Sequence, residues 1–235
     1  MMRQSAILFA VVVSVAAGGC DYLPDSVKAL IQRPQTVVSG AYKNGSYKGQ
    51  LKVLFLEPKG PADRNVQLLE PFGYRDSSGI DWDVPAGFVS DGASIPWSLW
   101  GFIGGPFDGP YRDAAIIHDF YCDAKSRKWE DVHSMFLEAA LRRGVPEATA
   151  QTMYAGLLYG GPRWDWRTEF KKAQVAPTPS SPRAVDPGLT KRSATLAEKQ
   201  RYDELKLWIE TTKPSPEEIK RKVEQLRASE GKPTK

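Results

Sequence analysis

The apolar residues of this chain change period partway along it, and that change limits the folds open to it. In the first half, Leu51-Lys52-Val53-Leu54-Phe55-Leu56 begins with apolar/polar alternation, and Asn65-Val66-Gln67-Leu68-Leu69 and Ile80-Asp81-Trp82-Asp83-Val84 read similarly. Each is bounded by Gly, Pro, Asn or Asp, the signature of short strands joined by turns. From Tyr111 onward the repeat becomes helical. Tyr111–Ala124 follows Pro110. Ser126–Arg143 has Ser126 as its candidate N-cap and Gly144 as its stop. Pro146–Tyr159 is closed by Gly160-Gly161-Pro162. Strands followed by helices predict an α+β fold: a small antiparallel sheet, a meander of three or four strands, then a three-helix unit. Between them, Phe88 to Gly109 reads as an irregular Gly/Pro/Trp-rich segment with a short helix near Ile95–Ile103. There is no internal repeat.

The rest of the organisation follows from composition. Residues 40–168 read as the globular domain. Residues 169–193 read as a Pro/Ser-rich linker, and 194–235 as a C-terminal helical hairpin with apolar stripes Leu205/Trp208/Ile209 and Ile219/Val223/Leu226. The hairpin suits packing on itself or on a partner, including self-association. Of 32 basic and 28 acidic residues, 12 and 8 fall in Lys191–Lys235, so the remainder is neutral. Duplex binding needs a concentrated basic surface, and nucleic acid is therefore not expected as a partner.

The first twenty residues read as an address. Arg3 precedes an apolar run from Ala6 to Ala17, and Gly18-Gly19-Cys20 follows. The run is too short for a mature membrane span but fits a secretory signal. With Cys20 at the break, residues 1–19 resemble a bacterial lipoprotein signal peptide, cleaved so that Cys20 is acylated; residues 20–39 then form a tether. Asp21 resembles the signal for inner-membrane retention, which implies an inner-membrane lipoprotein facing the periplasm. Acyl chains contributing about 0.8 kcal/mol per buried methylene would hold the protein on the membrane. The other cysteine, Cys122, is then left without an intramolecular disulfide partner.

The chain has two histidines, His118 and His133, fifteen residues apart on consecutive helical patterns, each with an aspartate nearby: Asp119 and Asp131. At about 100° per residue, His118 and Asp119 project from adjoining faces, and Tyr121 and Cys122 border His118. On the next helix His133 lies at the edge of the core-facing stripe, better placed than Asp131 to meet His118. Three readings stay open. The pair can be an internal polar brace. His118 can activate water as a general base, held by His133 or Asp131. Or Asp119 can offer an oxygen to calcium, or join both histidines around a transition metal. Asp91 and Ser94, in Asp91-Gly92-Ala93-Ser94-Ile95-Pro96, read as a turn and a helix cap; they can also border a site beside His118. No Gly-x-Ser-x-Gly nucleophile elbow surrounds Ser94. Trp97, Trp100, Phe102 and Phe107 read as a small core or as an apolar surface. Trp164 and Trp166 with Arg163 and Arg167 read as a clamp on the chain end or a membrane-interface motif.

Two resemblances rest on these residues. Val84-Pro85-Ala86-Gly87-Phe88-Val89-Ser90-Asp91-Gly92-Ala93-Ser94-Ile95-Pro96, Ala114-Ala115-Ile116-Ile117-His118-Asp119, Phe136, Gly144-Val145 and Met153-Tyr154 together resemble domain of unknown function family 1353, found in phages and bacteria, over roughly Gly40 to Trp164. That family implies a domain boundary and no activity. The His118-Asp119 helix is also similar to that of the prokaryotic secreted phospholipases A₂. This similarity implies His118 as general base, Asp119 as a calcium ligand and a carboxylate on the next helix orienting the histidine. His133 stands where that carboxylate is expected, and Cys122 where an aromatic is expected.

Overall fold

The computed structural model describes residues 42, 44–58, 65–92, 107, 109–173 and 195–232, all within one compact unit, Thr36–Lys235. Six short strands form two antiparallel sheets rather than one meander. In the first, β4 (Phe72–Arg75) lies between β1 (Ser46–Lys48) and β5 (Asp81–Val84), with Tyr47 opposite Tyr74 and Tyr74 opposite Trp82. In the second, β3 (Val66–Leu68) lies between β2 (Val53–Phe55) and β6 (Val89–Ser90). The sequence stretches around Leu54, Gln67 and Trp82 supply β2, β3 and β5. The remaining three strands carry little alternation. β4 has Gly73 mid-strand, where a Cβ would stand 2.6 Å from the Asp83 carboxylate and 2.9 Å from the Trp82 carbonyl.

The β4–β5 turn is held by one carboxylate. Asp76 Oδ1 accepts from Ser78 N (3.0 Å), Ser78 Oγ (2.6 Å) and Ile80 N (2.8 Å), while Oδ2 accepts from Trp82 Nε1 (2.8 Å). Burial raises the pKa of Asp76, but the donors from Ser78, Trp82 and Ile80 outweigh it and hold the carboxyl below its ordinary range.

Helices α1 (Arg112–Ala124), α2 (Trp129–Arg142) and α3 (Glu147–Gly160) follow as the periodicity predicts. The α2 start is later than expected: Lys128, not Ser126, is the N-cap, and no side chain caps it. At its end Gly144 takes φ +81°, with Gly144 N bonded to Leu141 O (2.9 Å) and Val145 N to Ala140 O (3.1 Å), the paired bonds of a Schellman motif. An additional helix, α4 (Trp166–Ala173), continues the domain into what composition reads as linker.

Thr195 and Ser215 each form a capping box with the glutamate three residues on, starting α5 (Leu196–Thr212) and α6 (Pro216–Ser229). The two helices do not form a self-contained hairpin. Both pack on α3, and Leu205, Ile209, Ile219 and Val223 join the core of the domain. Gln151 Nε2 donates to the Pro214 carbonyl (3.0 Å) and Tyr159 OH to Glu230 (2.7 Å).

Residues 1–39, with Cys20 and Asp21 and the expected leader and tether, Ser94, the Trp97–Phe102 aromatics with the helix expected near Ile95–Ile103, and residues 174–194 lie outside the described residues. Among the described residues no helix is long and apolar enough to cross a membrane.

Candidate functional site

The site begins with α1 packing on α2. Ala114, Ala115 and Ala139, small and fully covered, let the helices approach, and His118 and His133 meet between them. His118 Nε2 stands 2.9 Å from His133 Nδ1, with the rings 5.0 Å apart and 28° from parallel. Phe136 meets the His118 ring edge-on at 5.6 Å, and Trp129 lies 5.5 Å from His133. His118 is 5% exposed and His133 0%. Burial pushes His118 down to about 3. Burial, then the His118 and Arg163 charges, hold His133 well below the ordinary histidine value. Both rings are therefore neutral near pH 7.

Which ring donates depends on the tautomers. His133 Nε2 faces Gly161, where a Cβ would lie 3.2 Å away. The Pro162 carbonyl favours a proton on this ring, although no hydrogen bond of good geometry reaches Nε2. With Nε2 protonated, His133 Nδ1 accepts from His118 Nε2–H, and the lone pair of His118 is left on Nδ1.

Next to that nitrogen are a thiol and an acid. Cys122, one helical turn on and half-buried, places Sγ 3.6 Å from His118 Nδ1 and 3.6 Å from Nε2. Asp119 Oδ1 is 3.9 Å from His118 Nδ1, beyond hydrogen-bond reach. Asp119 is itself buried, and its Oδ2 accepts from Ser90 Oγ (2.6 Å), whose oxygen accepts from Gly92 N (2.9 Å). β6 thus ties the second sheet to α1. Ser90 gave no signal of its own in the sequence.

The other residues singled out fall elsewhere. Asp131 is exposed, and the side chain of α2 that meets the His118 ring is His133. Tyr121 turns to the first sheet, where its hydroxyl accepts from Asp83 N (3.1 Å) and its ring meets Trp82 edge-on. Asp91 is half-buried beside Ser90. Among the described residues no group of three or more His, Cys, Asp or Glu is arranged to hold a metal. The Trp/Arg segment is a fastening. Arg163 lies 4.2 Å over the Trp129 ring and donates to Leu158 O (2.7 Å) and Glu224 (2.6 Å), and Trp164 Nε1 donates to Arg127 O (2.7 Å). A second buried carboxylate, Glu138, was not foreseen. It accepts from Tyr74 OH (2.8 Å), Ser77 N (2.7 Å) and Ser77 Oγ (2.9 Å), joining α2 to the β4–β5 turn.

Fold and site together define an α+β domain with a buried histidine pair braced between two helices and an anchored aspartate beside it. Residues 66–157, which hold all of these groups, match the family described as Protein of unknown function (DUF1353), as the sequence motifs imply. The chain is 40% identical over 135 residues to Uncharacterized protein y4jT of Sinorhizobium fredii, a match covering 57% of this chain and 40% of that protein. It is 32% identical over 147 residues to Uncharacterized protein y4iH of the same organism, covering 62% of each. The chain thus spans less than two thirds of either relative. No solved structure matches it.

Proposed function

We propose that this protein is an inner-membrane lipoprotein, anchored through Cys20 and facing the periplasm, whose domain hydrolyses a lipid or another envelope substrate with His118 as general base. The observation that carries the reading is the 2.9 Å contact between His118 Nε2 and His133 Nδ1. A base held by a partner from the next helix, with a thiol against its ring, is the kind of cluster that proton transfer at a nucleophile uses. Asp119, fixed by Ser90, adds a buried acid next to the ring.

The test compares ester and phospholipid hydrolysis, with and without calcium, by wild type, His118→Ala and Asp131→Asn. The reading requires loss in His118→Ala and wild-type rates in Asp131→Asn; equal turnover in wild type and His118→Ala eliminates it. Replacing Cys20 with Ala and finding the protein in the soluble fraction tests the anchor separately.

One observation favours a second reading. His118 is only 5% exposed, which suits a brace inside a non-catalytic envelope protein that binds a partner. In that case His118→Gln leaves biological function intact.

A further inference from the structure

We propose that Cys122 is the nucleophile of this site, forming with His118 and His133 a thiol–imidazole–imidazole triad that forms and hydrolyses a thioester of an acyl substrate. The inference rests on the hydrolase reading and changes which group attacks.

Three observations lead to it. First, Sγ of Cys122 is 3.6 Å from His118 Nδ1 and equally far from Nε2, so the thiol lies against the imidazole, within reach of its nitrogens. That distance suits an S–H donor, whose sulfur is larger than oxygen. Second, the base is held by a third group, His133, at 2.9 Å. A nucleophile, a base and a group holding the base in mutual contact is the logic of every triad, whichever residue types fill it. Third, exposure separates the roles. The imidazole, 5% exposed, is too enclosed to meet a bulky acyl group, whereas Cys122 on the same face of α1 is only half-buried and is in no disulfide. The thiol is the part of the cluster a substrate can touch.

The steps balance. Sγ attacks the acyl carbonyl carbon, forming a C–S bond, while its proton passes to His118 Nδ1. The C–O or C–N bond to the leaving group breaks, and His118 returns that proton to the departing oxygen or nitrogen. Water then attacks the thioester, giving its proton to His118; the C–S bond breaks, the acid leaves, and the proton returns to sulfur. No oxidant or metal is needed. His133 stays neutral and acts as a positioning residue.

The experiment uses the full chain with p-nitrophenyl butyrate as the probe, following nitrophenol release and mapping butyrylated peptides by mass spectrometry after an acid quench. Wild type is expected to show butyryl on the Cys122 peptide. Cys122→Ala is expected to lose turnover by about 100-fold or more, and His118→Gln to lose acylation to a similar degree. His133→Asn, which leaves both reacting groups in place, is expected to slow acylation about tenfold. Circular dichroism confirms folding of each variant. Turnover in Cys122→Ala at the wild-type rate, with His118→Ala inactive, overturns the nucleophile but keeps the hydrolase reading. If no variant and no wild-type sample hydrolyses the ester, alkylation of Cys122 by iodoacetamide decides: a rate that falls at least about tenfold in folded His118→Gln supports the activated thiol, and equal rates overturn it.

Discussion

Nδ1 of His133 lies 2.9 Å from Nε2 of His118, and burial of both rings disfavours a positive charge on either. In the unfolded chain both titrate near the ordinary histidine value of about 6.5. In the fold His118 is pushed down to about 3, and His133 well below its usual value, in each case chiefly by burial. Between these limits the unfolded state binds more protons, so stability rises with pH; it is complete above pH 6.5 and is lost as pH falls through the window. The slope is at most about 1.4 kcal/mol per pH unit for each histidine. Asp76 and Glu230, whose carboxyls sit below their ordinary range, act only at more acidic pH. Urea midpoints measured at pH 7 and pH 5 are expected to differ clearly in wild type and much less in His118→Gln/His133→Asn. Equal dependence in both would mean the rings are not desolvated in solution.

Ser90 Oγ is 2.6 Å from Asp119 Oδ2, and both groups are buried. Removing the hydroxyl leaves a buried carboxylate short of one donor. Ser90→Ala is expected to lower stability by about 1.5–3 kcal/mol, the range for hydrogen bonds to charged groups. Thermal unfolding measures it, and Ser77→Ala, whose hydroxyl reaches Glu138 in a less enclosed position, serves as the comparison. A loss within about 0.5 kcal/mol, as for an ordinary surface change, would show that the bond is not made.

The parts legible in the sequence are those set by local chemistry. Pro216 after Ser215, with Glu218 two residues on, fixes the start of α6, and Gly144 ends α2 because its φ of +81° suits no other residue so well. The meeting of His118 and His133 was also readable, because fifteen residues on two joined helices leave few alternatives. What stayed hidden depends on contacts distant in the chain. Ser90 sits on a two-residue strand, too short to show a period, and gains its role only from Asp119. Glu138 looks like a solvent-facing glutamate on an amphipathic helix until Tyr74 and Ser77 close over it. β4 was missed because Gly73 interrupts its apolar residues for the sake of close contact with Trp82 and Asp83.

Glu138 accepts three hydrogen bonds from groups that otherwise have to be desolvated with no acceptor. Glu138→Ala strands them and opens a cavity, and is expected to lower stability by about 3 kcal/mol or more. Glu138→Gln keeps an oxygen for some of these donors and should cost roughly half as much. Because the carboxylate lies between α2 and the β4–β5 turn, hydrogen exchange at Ser78–Ile80 is expected to quicken in Glu138→Ala while α6 is unaffected. Uniform quickening along the chain would place the carboxylate in the global core instead.

The last two helices are expected to be inseparable from the domain. Leu205, Ile209, Ile219 and Val223 are each 2% exposed or less, and all lie in the core cluster that contains Leu158 and Tyr159 of α3. Polar contacts follow the same seam: the Arg163 guanidinium joins Glu224, and Arg227 donates to the Tyr159 carbonyl. Ile209→Ala and Ile219→Ala are each expected to lower stability by about 2–5 kcal/mol, the range for emptying a buried aliphatic site. Deleting residues 195–235 uncovers this whole face of α3, and the shortened protein should unfold at far lower temperature or aggregate. Arg163 also lies over Trp129, which packs against His133, so the deletion is expected to loosen the histidine pair as well. The readout is the His133 ring resonance, which should begin to titrate near pH 6 in whatever fraction stays folded. A truncated protein that keeps the wild-type melting temperature and a silent His133 would make the helices an independent appendage.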